Sequence, residues 1–201
     1  KLFVDVLSLS VWSMLQAFIS VDPWFLFFVA VEHLGKTELA ISNITRSVSA
    51  VFFVIVNSFA VTTGSLVSNA IGAGERRAVF IICRKILRLG YSAGFPLIGV
   101  AVCCNRLIIG IYTDNELLTE QAFIPFVVTL LNYTFALPGY VYLNAVGGTG
   151  KTRITFLFQV TTTVVYLGYL YWLSACTHAS MAIYLAAEER YVILLARQSV
   201  F

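Results

Sequence analysis

Along this chain, long apolar runs alternate with short polar turns. The runs cover roughly 3–31, 39–71, 80–104, 123–146, 154–175 and 181–201. Each is at least as long as the ~20 residues that a helix needs to cross a ~30 Å hydrocarbon core. The pattern predicts an all-α integral membrane protein: one transmembrane domain over 1–201, built as a six-helix bundle. The second run is long enough to tilt or to project beyond the hydrocarbon. The first carries Asp22-Pro23 in its second half. The third opens with Arg84, Lys85 and Arg88, whose long side chains can reach back to the interface. A short amphipathic piece, 106–112, is expected to lie on the membrane surface.

The turns between the runs alternate in charge. After the second run the chain reads Gly72-Ala-Gly-Glu-Arg-Arg77, and after the fourth Gly147-Gly-Thr-Gly-Lys-Thr-Arg153. The intervening turns, Glu32 to Glu38 and Asp114 to Glu120, lean acidic. Six spans place both ends of the chain on one side. Lys1, Arg76, Arg77, Arg84, Lys85, Arg88, Lys151, Arg153 and Arg197 fall on that side, against Lys36 and Arg106 on the other. Basic turns mark the cytoplasmic side of polytopic proteins, so both termini are expected to be cytoplasmic and the protein to sit in the plasma membrane.

Composition agrees. Hydrophobic residues make up 59% of the 201 and charged residues 11%, against about a quarter charged in soluble domains. Lipid must cover the surplus apolar surface. The net charge of +3 is concentrated at helix ends, which suits anionic headgroups and not nucleic acid. The cysteines Cys83, Cys103, Cys104 and Cys176 form no CxxC pair and read as small packing residues. The chain opens at Lys1 and is expected to be part of a longer polypeptide.

Polar side chains within the runs are costly in hydrocarbon and should face a bundle interior or water. By 100° steps, Asn43, Ser47, Asn57, Gly64 and Ser68 share one face of the second span, with Arg46 at its edge. The fourth span aligns Thr129, Tyr133, Tyr140 and Asn144; the fifth, Gln159, Thr163 and Tyr166. The sixth aligns Tyr184, Glu188, Tyr191 and Gln198, and the first Ser13, Gln16 and Ser20, with Asp22 on a different face. Two readings stand side by side: interhelical hydrogen-bond glue, or the lining of a hydrated cavity. Arg46, Asp22 and Glu188 are ionisable at depth and therefore functional candidates, although Arg46 and Glu188 also suit mutual neutralisation.

Other motifs carry less. Ala145 to Thr152 fits a relaxed P-loop, but a membrane span precedes it where a buried strand is required. Asn43-Ile-Thr45 and Asn132-Tyr-Thr134 match the glycosylation triplet but lie in or beside spans. Cys176 and His178 are too few for a metal site. No nucleophile–base–orienter set is present in the sequence, and no enzyme activity is expected.

Three stretches, taken in order, resemble one family. Ser65-Leu-Val-Ser-Asn-Ala-Ile-Gly-Ala-Gly74, read on through Arg77-Ala78, is similar to the "lvgn-lGaG…A" end of the eighth helix in multidrug and toxic compound extrusion (MATE) transporters. Tyr112-Thr-Asp-Asn115 resembles that family's "f/y-T-d" turn after helix nine, and Val146 to Arg153 its "G-x-G-x-T-R" turn between helices ten and eleven. The resemblance covers essentially the whole chain, as helices seven to twelve of a twelve-helix protein whose N-terminal half is absent here.

The resemblance implies a secondary active exporter. Inward flow of Na⁺ or H⁺ would drive drugs or other organic cations and amphiphiles outward by alternating access between two six-helix lobes. Its expected partners are a small organic substrate, Na⁺ or H⁺, the bilayer and the missing half, with no cofactor beyond the coupling ion. One departure stands out. Some family members carry a coupling acid in helix seven, where this chain has Ser20, with Asp22 two residues on and Gln16 one turn before. Others carry one in helix ten, where Pro138 to Tyr140 lie here. Asp22 and Glu188 are the ion-coupling candidates. Gln16, Ser20, Asn43, Arg46, Asn57, Tyr133, Tyr140, Asn144, Gln159, Tyr166 and Tyr184 are the cavity candidates, the tyrosines as cation–π surfaces. The alternatives are a lipid-linked oligosaccharide flippase of the same superfamily, for which Arg46 is a thin supply of positive charge, and a non-transporting membrane scaffold.

Overall fold

In the computed structural model, the residues described are 7, 8, 10–20, 25, 29, 35–113 and 115–176. They form helices and turns. Helix α1 is seen over 10–20. It is followed by α2 (Lys36–Gly72), α3 (Ala78–Cys103), the short α4 (Asn105–Gly110), α5 (Glu116–Gly148) and α6 (Thr152–Cys176). Four of these, α2, α3, α5 and α6 as far as Trp172, are long and apolar enough to cross a membrane. The expected sixth span, 181–201, and about half of the first lie outside the described residues.

Helix α2 packs most extensively on α5, and α3 lies against both. The pairing fixes direction. Tyr133 meets Ser49, and Gly148 meets Ser68, so α2 and α5 run the same way. Gly90 meets Leu137, while Val79 shares a groove with Thr149, so α3 runs opposite to α5. The single crossing of α3 between α2 and α5 produces that result. The core lies along this three-helix contact, with Val67, Phe126, Leu130 and Val141 essentially without exposure. Val100 on α3, Leu131 and Phe135 on α5, and Leu157 and Val164 on α6 point outward, as lipid-facing positions should.

Helix α5 begins about two turns before the expected 123. The Asn115 side chain accepts from the Leu117 N–H at 3.1 Å, and Glu116 supplies a negative charge to the first turn. Both stabilise a helix N-terminus. The expected surface piece 106–112 is α4, displaced slightly toward the N-terminus.

The two glycine-rich turns end helices in the same way. Gly74 and Gly150 both take φ 81°, the left-handed conformation that stops a helix at low cost in glycine. Gly147 and Gly148 remain helical. The P-loop look-alike is therefore a helix stop between two spans. The Ser68 hydroxyl donates to the Gly148 carbonyl at 2.9 Å, which brings both basic turns to one end of the bundle.

At that end α2 and α5 touch through their backbones. A Cβ on Gly148 would lie 2.5 Å from the Gly64 carbonyl oxygen, and one on Gly64 would lie 3.2 Å from that of Asn144. Small residues one turn apart, Gly64 and Ser68, permit this approach, as at many membrane helix interfaces. Farther along, Pro138 has no N–H to give the Thr134 carbonyl, its i−4 partner. The Tyr91 hydroxyl of α3 donates to that carbonyl at 2.9 Å, so a neighbouring helix satisfies the group the proline freed.

Candidate functional site

The buried side of α2 carries Ile41, Thr45, Val48, Phe52, Val56, Thr63 and Val67. The polar stripe lies opposite. Asn43, Arg46, Ser47, Asn57 and Ser68 are exposed, with Ala50, Val54 and Val61 between them. Ser47 donates to the Asn43 carbonyl at 2.9 Å. From Asn43 to Asn57 the stripe therefore faces away from the α2–α3–α5 core, whereas its last two members, Gly64 and Ser68, lie against α5.

The α5 stripe faces α2 instead. Tyr133 is buried, and its hydroxyl donates to the Ser49 carbonyl at 2.8 Å while its ring tilts against Phe52 at 5.9 Å. This geometry makes Tyr133 a strut between helices. Half-buried Tyr140 sets its ring edge-on to Phe53 at 5.8 Å. Asn144 donates from Nδ2 to its own helix at the Tyr140 carbonyl, 2.9 Å away. Thr129 likewise donates to the Pro125 carbonyl. Tyr140 and Asn144 sit at the edge of the α2 contact, beside Phe53 and Gly64.

Helix α6 is polar on its buried side. Gln159, Thr163 and Tyr166, which the spacing aligns, are joined there by Thr155 and Thr162, all at most 5% exposed. Thr162 donates to the Phe158 carbonyl at 2.8 Å. Thr163 Oγ1 has no hydrogen-bond partner among the described residues. A polar side turned inward and an apolar side turned outward is the arrangement a lipid-surrounded helix requires.

On α1 the half-buried positions are Trp12, Gln16 and Ile19. Trp12 packs edge-on against Phe156 of α6 at 5.2 Å, and the Arg153 guanidinium lies 5.5 Å from the Trp12 ring centre. Ser20 is exposed and donates to the Ala17 carbonyl at 2.7 Å. Asp22, Tyr184 and Glu188 lie outside the described residues. The stripes thus divide: α2 presents its polar side outward, α5 turns its own toward α2, and α6 buries its own. Tyr91 and Trp12 escaped the sequence reading. A proline four residues after Thr134 is the one signal that pointed to a partner such as Tyr91. Cys83 is buried, as a packing residue should be, but Cys103 and Cys104 are exposed. Among the described residues there is no His/Cys/Asp/Glu cluster able to hold a metal.

Four long apolar helices, tight glycine contacts and inward-facing hydroxyls define a polytopic α-helical membrane protein. The MatE family model matches residues 12–172. The chain belongs to the MatE family of transporters. Its structure is similar to that of a MOP superfamily transporter from Pyrococcus furiosus, with a TM-score of 0.80 at 16% sequence identity. The match covers 98% of this chain and 43% of that one, so the chain spans less than half of the transporter it resembles. A comparison with curated proteins gives no match.

Proposed function

We propose that the chain forms one six-helix lobe, the C-terminal one, of a cation-coupled exporter of organic cations or amphiphiles. The observation that carries this reading is the outward polar stripe of α2. Asn43, Arg46, Ser47 and Asn57 cannot economically face hydrocarbon, where a cation at depth costs several kcal/mol. Water and a second lobe are the natural cover. A hydrated cleft between two lobes is where alternating access exposes a substrate first to one side and then to the other. Tyr140 and Asn144 border that cleft from α5, and Gln16 and Ser20 contribute from α1.

Coupling requires a group whose ion or proton occupancy favours one conformation over the other. Asp22 and Glu188 are the carboxylates proposed for that role, with Na⁺ or H⁺ as the ion. In this proposal the Gly74 and Gly150 end of the bundle faces the cytoplasmic side of the plasma membrane, the side that basic turns favour.

The test is efflux of a fluorescent organic cation from vesicles holding the full-length protein under imposed Na⁺ or H⁺ gradients. Gradient-driven efflux that is lost in Asp22→Asn, with insertion intact, supports the exporter and places coupling in this lobe. Efflux that persists in Asp22→Asn moves coupling away from Asp22. Absence of gradient-driven efflux for a panel of organic cations overturns the exporter reading.

A further inference from the structure

We propose that the groove between α4 and the start of α5 holds the headgroup of a zwitterionic aminophospholipid, with its phosphate at Arg106, its ammonium at Glu120 and an acyl chain running inward past Phe123. The groove holds about 360 Å³ and is lined by Asn105, Arg106, Thr119, Glu120 and Phe123. Arg106 and Glu120 are both exposed. They border one space, yet among the described residues neither has an ion-pair partner, not even the other.

Two helices set the depth of this groove. Glu120 lies about 42 Å along α5 from Gly148 at 1.5 Å per residue. A bilayer with its headgroups spans about 40–45 Å, of which hydrocarbon takes about 30 Å. With the Gly148 end in one headgroup layer, Glu120 therefore reaches the other. Helix α3 starts level with that end, where Val79 shares a groove with Thr149, and its 26 residues carry the chain about 39 Å to Asn105 and Arg106. Phe123 stands about one turn nearer the membrane centre than Glu120, at the edge of the hydrocarbon. Charges at headgroup level and an aromatic ring just beneath them follow the order of a lipid's own parts.

The paired charges name the headgroup. Glu120 repels a simple anion and Arg106 a simple cation, whereas a molecule with both signs a few bonds apart satisfies the two together. Thr119 donates its hydroxyl proton to the Asn115 carbonyl at 3.1 Å, so its oxygen is left to accept, in the same groove as the Glu120 carboxylate. Such acceptors suit a primary ammonium, which donates up to three hydrogen bonds, and not a quaternary one, which has no N–H to donate. Leu107 and Ile124, the chain neighbours of Arg106 and Phe123, are exposed. Lipid must cover that apolar border, which makes the occupant a lipid and not a water-soluble zwitterion.

The site stands independently of the transport reading and is tested separately. Full-length protein in detergent is titrated with phosphatidylethanolamine and with phosphatidylcholine of the same chains, binding being read by native mass spectrometry. A preference of about two- to fivefold for phosphatidylethanolamine is expected, the range of an exposed ion pair. Glu120→Gln should abolish that preference. Arg106→Gln should weaken both lipids about two- to fivefold through their shared phosphate and keep the preference. Phe123→Ala should weaken both, and Arg88→Gln, toward the opposite end of α3, should change neither. Glycerophosphoethanolamine, the headgroup without chains, should not compete. Circular dichroism and monodispersity confirm that each variant is folded. Equal binding of the two lipids by wild type, or a preference that survives Glu120→Gln, would overturn the proposal. So would a loss in Arg88→Gln as large as in Arg106→Gln, or effective competition by glycerophosphoethanolamine, which would make the ligand a soluble zwitterion.

Discussion

Gly148→Ala is the sharpest perturbation the structure offers. The added methyl would sit 2.5 Å from the Gly64 carbonyl oxygen. A carbon and an oxygen in ordinary contact need more than 3 Å, and here the neighbour is backbone, which cannot rotate away. The helices must separate by most of an ångström, lengthening the 2.9 Å bond from Ser68 to the Gly148 carbonyl. Overpacking of this kind costs about 1–3 kcal/mol, and the weakened bond about 1 kcal/mol more. The opposing gain from replacing a helical glycine is at most about 1 kcal/mol. A net loss of about 1–3 kcal/mol is expected. Gly147→Ala is the internal control, because a Cβ there meets nothing within 4 Å. In the full-length protein in detergent, thermal unfolding should show Gly148→Ala melting well below wild type, and Gly147→Ala at or above it. Gly64→Ala, with 3.2 Å to a backbone oxygen, should fall between them. Equal melting of Gly148→Ala and Gly147→Ala would refute the close α2–α5 contact.

Tyr91→Phe removes the donor to the Thr134 carbonyl and should cost about 1–3 kcal/mol; the cost should shrink in a Pro138→Ala background, where an amide returns, and a thermal double-mutant cycle reads this coupling. Tyr133→Phe should destabilise by about 1 kcal/mol through loss of the Ser49 bond while leaving substrate KM unchanged, because Tyr133 acts between helices. Thr163→Val should be neutral or stabilising by up to about 1 kcal/mol in a chemical-denaturation or thermal assay, since its buried hydroxyl lacks a partner among the described residues.

Helices α2, α3, α5 and α6 were legible because apolar length is a direct physical demand of the bilayer. The early start of α5 was hidden by Leu117-Leu-Thr-Glu120, which reads as a surface turn; the Asn115–Glu116 cap was the missed signal. Polar stripes could be found by spacing, but their direction could not. On a soluble helix the polar side faces water, whereas in a membrane it faces whatever is not lipid, and only neighbouring helices decide what that is. Hence α2 and α6 carry similar stripes, one open and one buried. The Tyr91 contact with Thr134 joins positions 43 residues apart, and no local pattern pairs them.

The central claim is that the outward stripe of α2 lines a hydrated cleft, and a cysteine scan tests it most directly. In full-length protein with the native cysteines replaced, single cysteines at Asn43, Ser47, Asn57, Val48, Phe52 and Val56 would be treated with a membrane-impermeant maleimide. The account predicts labelling at 43, 47 and 57, protection at 48, 52 and 56, and a change in rate when substrate or the coupling gradient is applied. Protection at all six positions, or labelling without this helical period, would contradict it.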